Sequence, residues 1–296
     1  MPAAPPEHLT LTLPDGRQQG VLRFGNPGHR AVLYSHGFGT SGLAIPPDTA
    51  LLQRLGLQIL APDRPGVGAS DVDPGLSFQS VAADAMFAVD ALGVQGPVAV
   101  LGWSVGGVHA MALAARYPVR VGTLHLLGTC LPMGEEHSFE QLSAIWKTLW
   151  WTCTQMPGIT EALCRWLSRR WHRAPDDTID WFIRLMWQAE QDVSEQPENR
   201  ALLRDGAVRG FAHQGWGVFH DLQLWCRPPD FDLSLIQAPA TLWHGLADGV
   251  WAPDNIPYLA SRLPGGSTRL LPGEGHMLHL RHWEEILTAI RRELPD

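Results

Sequence analysis

A serine, a histidine and an aspartate stand in this chain with the local surroundings that nucleophilic catalysis asks for. The serine is Ser104, inside Gly102-Trp103-Ser104-Val105-Gly106-Gly107. A serine hydroxyl is a weak nucleophile at neutral pH. It needs a base within hydrogen-bond reach, and that base needs a third group to orient it. Just before the motif, Pro97-Val98-Ala99-Val100-Leu101 is an apolar run of the kind that forms a strand buried on both faces. Just after it, residues 108–117 are rich in Ala, Leu and Met and stop at Pro118, which predicts a helix. Gly-x-Ser-x-Gly at a strand-to-helix turn is the nucleophile elbow. Glycines are needed at 102 and 106 because a Cβ collides across so tight a turn. Ser104 takes the strained backbone that lifts its hydroxyl above the sheet edge. The helix that follows turns its amide end toward negative charge formed there. The pattern alone also fits a Gly-rich turn whose serine merely caps a helix, and the flanking strand and helix favour the elbow.

His276 follows Gly275 just beyond a predicted strand at 268–271 and is the candidate base. His279 and His282 stand close behind it. They fit a helix surface or, with His276 at a spacing of three, a set of metal ligands, although no paired cysteine or His-Glu-x-x-His pattern accompanies them. Asp248 comes after the predicted strand Ala240-Thr241-Leu242-Trp243 and the turn His244-Gly245-Leu246-Ala247. It is either the acid that orients His276 or the cap of the next helix, and Asp254 competes for the same role from deeper in that helix. In an open parallel sheet the loops after the strand ends gather on one edge, so residues this far apart in the chain can meet.

The elements that must do the positioning are legible as an alternation. Residues 9–13 and 20–24 around Pro14-Asp15-Gly16 predict a hairpin, and residues 31–34 and 57–61 predict further strands. Asp48 is placed to cap a short helix carrying Leu51, Leu52 and Leu55. Phe78, Val81, Ala82, Ala85, Val89 and Leu92 recur at helical spacing. A strand at 121–127 follows the elbow unit. The rhythm then breaks over residues 132–229, which are helical in character and hold nine of the thirteen tryptophans: Trp146, Trp150, Trp151, Trp166, Trp171, Trp181, Trp187, Trp216 and Trp225. It resumes with the strand at 240–243, a helix at about 253–263 and the strand at 268–271. A last helix shows Trp283, Ile286, Leu287, Ile290 and Leu294 on one face. Strands alternating with helices imply an α/β fold with a mostly parallel sheet and helices on both faces. Residues 1–131 and 230–296 form that core, and 132–229 form a helical insertion.

Composition bounds the rest. At 296 residues, with 45% hydrophobic and 18% charged residues, the chain is globular and long enough for one large core with an insertion. A net charge of −8 with no basic run excludes nucleic acid as the expected partner. No apolar stretch approaches membrane-spanning length, and the first six residues lack a charged-then-apolar leader, so the expectation is a cytoplasmic protein with no membrane partner. Cys130, Cys153, Cys164 and Cys226 show no metal-like spacing and are expected to be buried or free thiols, a disulfide between them staying open. Nothing in the sequence calls for a cofactor or a metal. Oligomeric state is not legible.

The chain resembles the α/β-hydrolase superfamily over nearly its whole length outside the insertion. The matching residues are the elbow, His36-Gly37-Phe38-Gly39, Asp63-Arg64-Pro65-Gly66-Val67-Gly68-Ala69-Ser70, the Asp248 loop and the Gly275-His276 turn. Ser104, Asp248 and His276 also occur in the chain order of that family. The resemblance implies Ser104 as nucleophile, His276 as base and Asp248 as orienting acid. It puts the oxyanion hole at the backbone amides of Phe38 and Val105, and makes His36, Asp63 and Arg64 scaffold residues. In some relatives the acid follows the sixth strand, where Gly128-Thr129-Cys130 holds no carboxylate. The resemblance also implies that 132–229 is a cap, or lid. Its tryptophans are either lid core or, for a few, the lining of an apolar acyl pocket. Glu190, Asp192, Glu195 and Glu198 form an acidic patch. A solvated surface is its simplest reading, although family members that cleave N-terminal residues use cap carboxylates to hold an amine. The expected function is a serine hydrolase acting on a small, mostly apolar acyl ester. Thioesterase, proline-releasing aminopeptidase, carbon–carbon bond hydrolase and perhydrolase activities use the same triad, and a small-molecule receptor on this scaffold is the reading from another class.

Overall fold

The computed structural model describes residues 5–294. The first predicted hairpin forms as β1 (Glu7–Thr12) and β2 (Gln18–Phe24), closed where the Leu13 amide donates to Arg17 O at 2.8 Å. Six strands follow: β3 (Arg30–Ser35), β4 (Leu57–Pro62), β5 (Val98–Trp103), β6 (Val121–Leu127), β7 (Ala240–Gly245) and β8 (Ser267–Leu271). The sheet runs β1-β2-β4-β3-β5-β6-β7-β8, with β1 and β2 antiparallel to their neighbours and every other pairing parallel. It is the mostly parallel sheet that the alternation implies.

The inner strands, β2 to β7, bury both faces, whereas the edge strands β1 and β8 are largely exposed, and the side-chain period of two sorts the buried residues between the faces. Leu33, Val98, Val100, Leu124, Leu126 and Leu242 join one cluster, together with α2 (Phe78–Ala91) and α3 (Val105–Arg116). Tyr34, Ala99, Leu101, Trp103, Leu127 and Trp243 join the other, packed under α1 (Thr49–Leu55) and the C-terminal helix. Asp48 does cap α1, its Oδ1 accepting from the Leu51 amide at 2.9 Å.

Between β6 and β7 the chain runs through α4 (Ala144–Gln155), α5 (Pro157–Arg173), α6 (Pro175–Ile183), α7 (Gln188–Ser194), α8 (Pro197–Gly210) and α9 (Trp216–Trp225). Proline opens α5, α6 and α8 at the position where a missing N–H costs nothing. Buried residues of these helices continue the two sheet clusters: Cys153, Leu222 and Trp225 on one side, Trp171, Ile179, Leu203 and Phe219 on the other.

Two predicted helices differ in detail. The stretch near 253–263 is a 3-10 turn (Pro253–Asn255) followed by α10 (Ile256–Ser261). Pro257 has no amide to donate to Pro253 O, so the α-helical ladder begins only after it and the stretch opens as a 3-10 turn. The last helix, α11 (His279–Glu293), starts earlier than its apolar face suggests and kinks at His282.

Candidate active site

Strand register brings the chemistry-bearing loops to one edge. Ser35 pairs with Gly102, Trp103 with Leu127, and Leu127 with Trp243, so β3, β5, β6 and β7 end at similar heights. The ladder carries one residue further: the Ser104 amide donates to Leu127 O at 2.9 Å and the Gly128 amide to Trp243 O at 2.8 Å. Ser104 and the loop after β7 are thereby set side by side.

Ser104 sits at φ 58°, ψ −129°, the left-handed region that a non-glycine residue enters only under strain. It precedes α3, yet its side chain makes no capping hydrogen bond, so the helix-cap reading fails. The glycines around it are sterically required. A Cβ on Gly102 would lie 2.7 Å from Gly106 O, and one on Gly106 would run into Ser35 O and His36 O.

The hydroxyl is directed elsewhere. His276 Nε2 lies 2.9 Å from Ser104 Oγ, and His276 Nδ1 lies 2.9 Å from Asp248 Oδ2. The other Asp248 oxygen, Oδ1, accepts from the amides of Val250 (2.7 Å) and Trp251 (3.1 Å) and so closes the loop after β7. The next helical turn, Pro253–Asn255, begins after Ala252 with no side-chain cap, so the helix-cap reading of Asp248 fails. Burial pushes the Asp248 carboxyl up, but the charge and hydrogen bond of His276, with His244 and the Trp251 amide, hold it below the usual carboxylate value. The carboxyl is therefore ionised at neutral pH. Asp254 is exposed in the 3-10 turn.

The neighbouring histidines go to unrelated tasks. His279 is fully buried, with Nε2 3.1 Å from Ala44 O and its ring 4.6 Å from that of Trp103, and burial pushes it down to about 4. His282 pairs with Glu274 and Glu285.

The turn after β3 packs directly on the elbow. A Cβ on Gly37 would lie 2.8 Å from the Trp103 ring, so Phe38 follows a residue in contact with β5. Val105 opens α3, where the amide has no partner within the helix. Arg64 holds the turn from behind: Nη1 donates to His36 O at 2.6 Å, and Nη2 donates to Gly37 O (3.1 Å) and to Asp221 Oδ2 on α9 (2.8 Å). His109 of α3 lies 2.7 Å from the other Asp221 oxygen. Burial pushes the Asp221 carboxyl up, yet Arg64 and His109 together hold it well below its ordinary value. Burial and the Arg64 charge keep His36 and His109 neutral. One charge pair therefore ties the last insertion helix to the turn bearing Phe38. Asp63 is spent on Arg209 of α8 and on the Ala69 amide.

Three residues to which the sequence assigned no part in the triad touch the site. The Trp251 indole N–H lies 3.4 Å from Ser104 Oγ, and Trp103 Nε1 donates to His276 O at 3.1 Å. Glu190, read above as part of a surface patch, is buried and accepts from the His276 amide at 2.5 Å. The remaining patch residues, Asp192, Glu195 and Glu198, are exposed. Of the nine insertion tryptophans, Trp146 and Trp225 approach Ser104 through Trp251: ring centroids lie 4.7 Å and 5.7 Å from that of Trp251, with Phe38 5.8 Å from Trp146. Trp166 and Trp181 flank Arg170, and Trp171 stacks on Phe182. The four cysteines are free and buried.

A mostly parallel sheet with a strained serine at its central strand end defines an α/β protein whose working edge is the carboxyl end of β5. The alpha/beta hydrolase fold family matches residues 30–282, and the chain belongs to that family. It is similar to the pimeloyl-[acyl-carrier protein] methyl ester esterase of Chromobacterium violaceum, 28% identical over 236 residues that make up 78% of this chain and 82% of that protein. Among solved structures, a hydrolase from Pseudomonas aeruginosa PA01 superposes with a TM-score of 0.69 at 20% identity, covering 98% of this chain and 99% of that one. An esterase from Thermogutta terrifontis gives 0.68 at 21% identity, covering 97% of each chain. At such identities the two structures speak to the fold alone.

Proposed function

We propose that the protein is a serine esterase that cleaves a small carboxylic ester with an apolar acyl group. The observation that carries this reading is the chain Ser104 Oγ, His276 Nε2, His276 Nδ1, Asp248 Oδ2, with both gaps at 2.9 Å. In this reading Ser104 Oγ attacks the ester carbonyl carbon while His276 Nε2 takes its proton. Asp248 stabilises the imidazolium and keeps Nδ1 protonated in the resting state. The oxyanion faces the amides of Phe38 and Val105 at the positive end of α3. Collapse of the tetrahedral intermediate expels the alcohol, which receives its proton from His276. Water then attacks the acyl-enzyme by the same route in reverse and returns Ser104 to its free form.

The acyl preference is argued from the aromatic wall. Trp251 and Trp225 are buried and Trp146 is half-buried, and the three rings pack edge-on and tilted next to the nucleophile. Such a surface favours hydrocarbon and disfavours charge. Ser104 is only 4% exposed, so a substrate enters by parting these rings, two of which belong to the insertion. Residues 132–229 are in this reading a cap that sets substrate choice. The name of the Chromobacterium violaceum relative, a methyl ester esterase, supports the same bond type.

A panel of 4-nitrophenyl esters tests the reading. Each buried methylene contributes about 0.8 kcal/mol, roughly a fourfold gain per carbon when the transition state shares the contact. kcat/KM is expected to rise from acetyl to about hexanoyl and then fall as the pocket fills. A series that declines from acetyl onward would remove the acyl-pocket assignment, and no turnover of any ester would remove the activity.

A further inference from the structure

The first turn of α7 lies across the two loops that carry Asp248 and His276. A Cβ on Gly249, next to Asp248, would run into the indole of Trp187, the residue that precedes α7. A Cβ on Gly275, next to His276, would run into the Glu190 carboxyl and lie 3.0 Å from Ala189 Cβ. Neither loop has room for a side chain where α7 sits.

Glu190 makes the closest of these contacts. It is 1% exposed, and its Oε1 accepts from the His276 amide at 2.5 Å. Its second oxygen, Oε2, is buried with no hydrogen-bond partner among the described residues. Burial pushes this carboxyl above its ordinary value, with the His276 amide and ring opposing and the Asp248 charge reinforcing the rise. A carboxyl so placed is unfavourable for the fold, because one oxygen is desolvated without compensation. Its surroundings therefore point to a task other than stability.

We propose that Glu190 is a positioning residue for the base: from the insertion it holds the His276 backbone and so fixes Nε2 at reacting distance from Ser104 Oγ. The inference rests on the esterase reading of the site. His276 is gripped on both sides of its Cα, the amide by Glu190 and the carbonyl by the Trp103 indole at 3.1 Å. The ring hangs from that Cα with a single 2.9 Å contact to each triad partner. Releasing the amide lets the loop shift, and a displacement of about 1 Å at reacting atoms costs on the order of 100-fold in rate. The insertion would then tune the base as well as the acyl pocket.

The test compares Glu190→Ala, Glu190→Gln and Gly275→Ala in the full chain. Glutamine keeps an acceptor for the His276 amide, whereas alanine does not and Gly275→Ala displaces the carboxyl from the other side. The expected result is a kcat loss of roughly 10- to 100-fold in Glu190→Ala and Gly275→Ala, with KM within about twofold, and kcat within about threefold of wild type in Glu190→Gln. Thermal stability should move the other way. Glu190→Gln should melt at or above wild type at about pH 8, where the buried charge is present, and the difference should close toward about pH 4, where Glu190 is itself neutral. Unchanged kcat in a folded Glu190→Ala, or equal losses in Ala and Gln, overturns the proposal. The amide proton of His276 in an NMR spectrum separates this failure from failure of the esterase reading. Even in a protein that turns over no ester, that resonance should shift and exchange faster with solvent in Glu190→Ala, and an unmoved resonance overturns the contact.

Discussion

Asp248→Asn should disable the enzyme by choosing the wrong tautomer of His276. The structure dictates which way the asparagine faces. The position of Oδ1 receives two backbone donors, Val250 at 2.7 Å and Trp251 at 3.1 Å, and only a carbonyl oxygen can accept them. The amide NH2 of asparagine is thereby turned toward His276 Nδ1, which must become an acceptor. Nε2 then carries the proton and cannot take one from Ser104. Restoring the useful tautomer means flipping the amide and leaving two backbone N–H groups facing an NH2, at about 1–3 kcal/mol each. The combined penalty of about 2–6 kcal/mol corresponds to a kcat loss of roughly 30-fold to about 10⁴-fold, before the lost charge is counted. The assay is stopped-flow hydrolysis of 4-nitrophenyl hexanoate at saturating ester, alongside a melting curve to establish that the variant is folded. A folded Asp248→Asn that keeps a third of wild-type kcat would refute the tautomer argument and with it the role of Asp248.

Two further outcomes follow from other parts of the structure. Trp225→Ala should move the best substrate of the ester panel to a longer acyl chain, because the ring it removes backs Trp251, 5.7 Å away; an unchanged optimum would separate Trp225 from the pocket. Stability should fall as pH drops from about 6.5 to about 4, because the buried His279 is held neutral in the fold and protonates in the unfolded chain. That single group accounts for about 3 kcal/mol over the window, with His36 and His109 acting in the same direction, and His279→Phe should flatten part of the slope in urea titrations.

The sheet and the candidate nucleophile were legible in the sequence for a physical reason. Strands buried on both faces leave continuous apolar runs, and a serine between glycines at a strand end has few other uses. Asp248 and His276 could be paired with Ser104 as candidates because parallel strands deliver their loops to one edge, and the three side chains do meet there. What the sequence hid is whatever depends on packing between distant segments. Glu190 lies in a seven-residue helix too short for a periodic signal, and its burial comes from a loop near residue 275. Trp251 carries no sequence signal of its own, since the tryptophans cluster in the insertion, whereas the ring 3.4 Å from Ser104 Oγ lies three residues after Asp248. Asp221 carried a usable sign: a lone acid among Val218, Phe219, Leu222 and Leu224 in an apolar helix asks for a buried cation, and Arg64 supplies it.

The central claim is that Ser104 forms an acyl-enzyme with His276 as its base. Incubation with a fluorophosphonate, followed by intact-mass measurement and peptide mapping, tests it most directly. The prediction is a single adduct per chain on the peptide carrying Ser104, formed in step with loss of ester hydrolysis, absent in Ser104→Ala and strongly slowed in His276→Ala. Labelling at another serine, or an unlabelled wild type that still hydrolyses esters, would contradict the account.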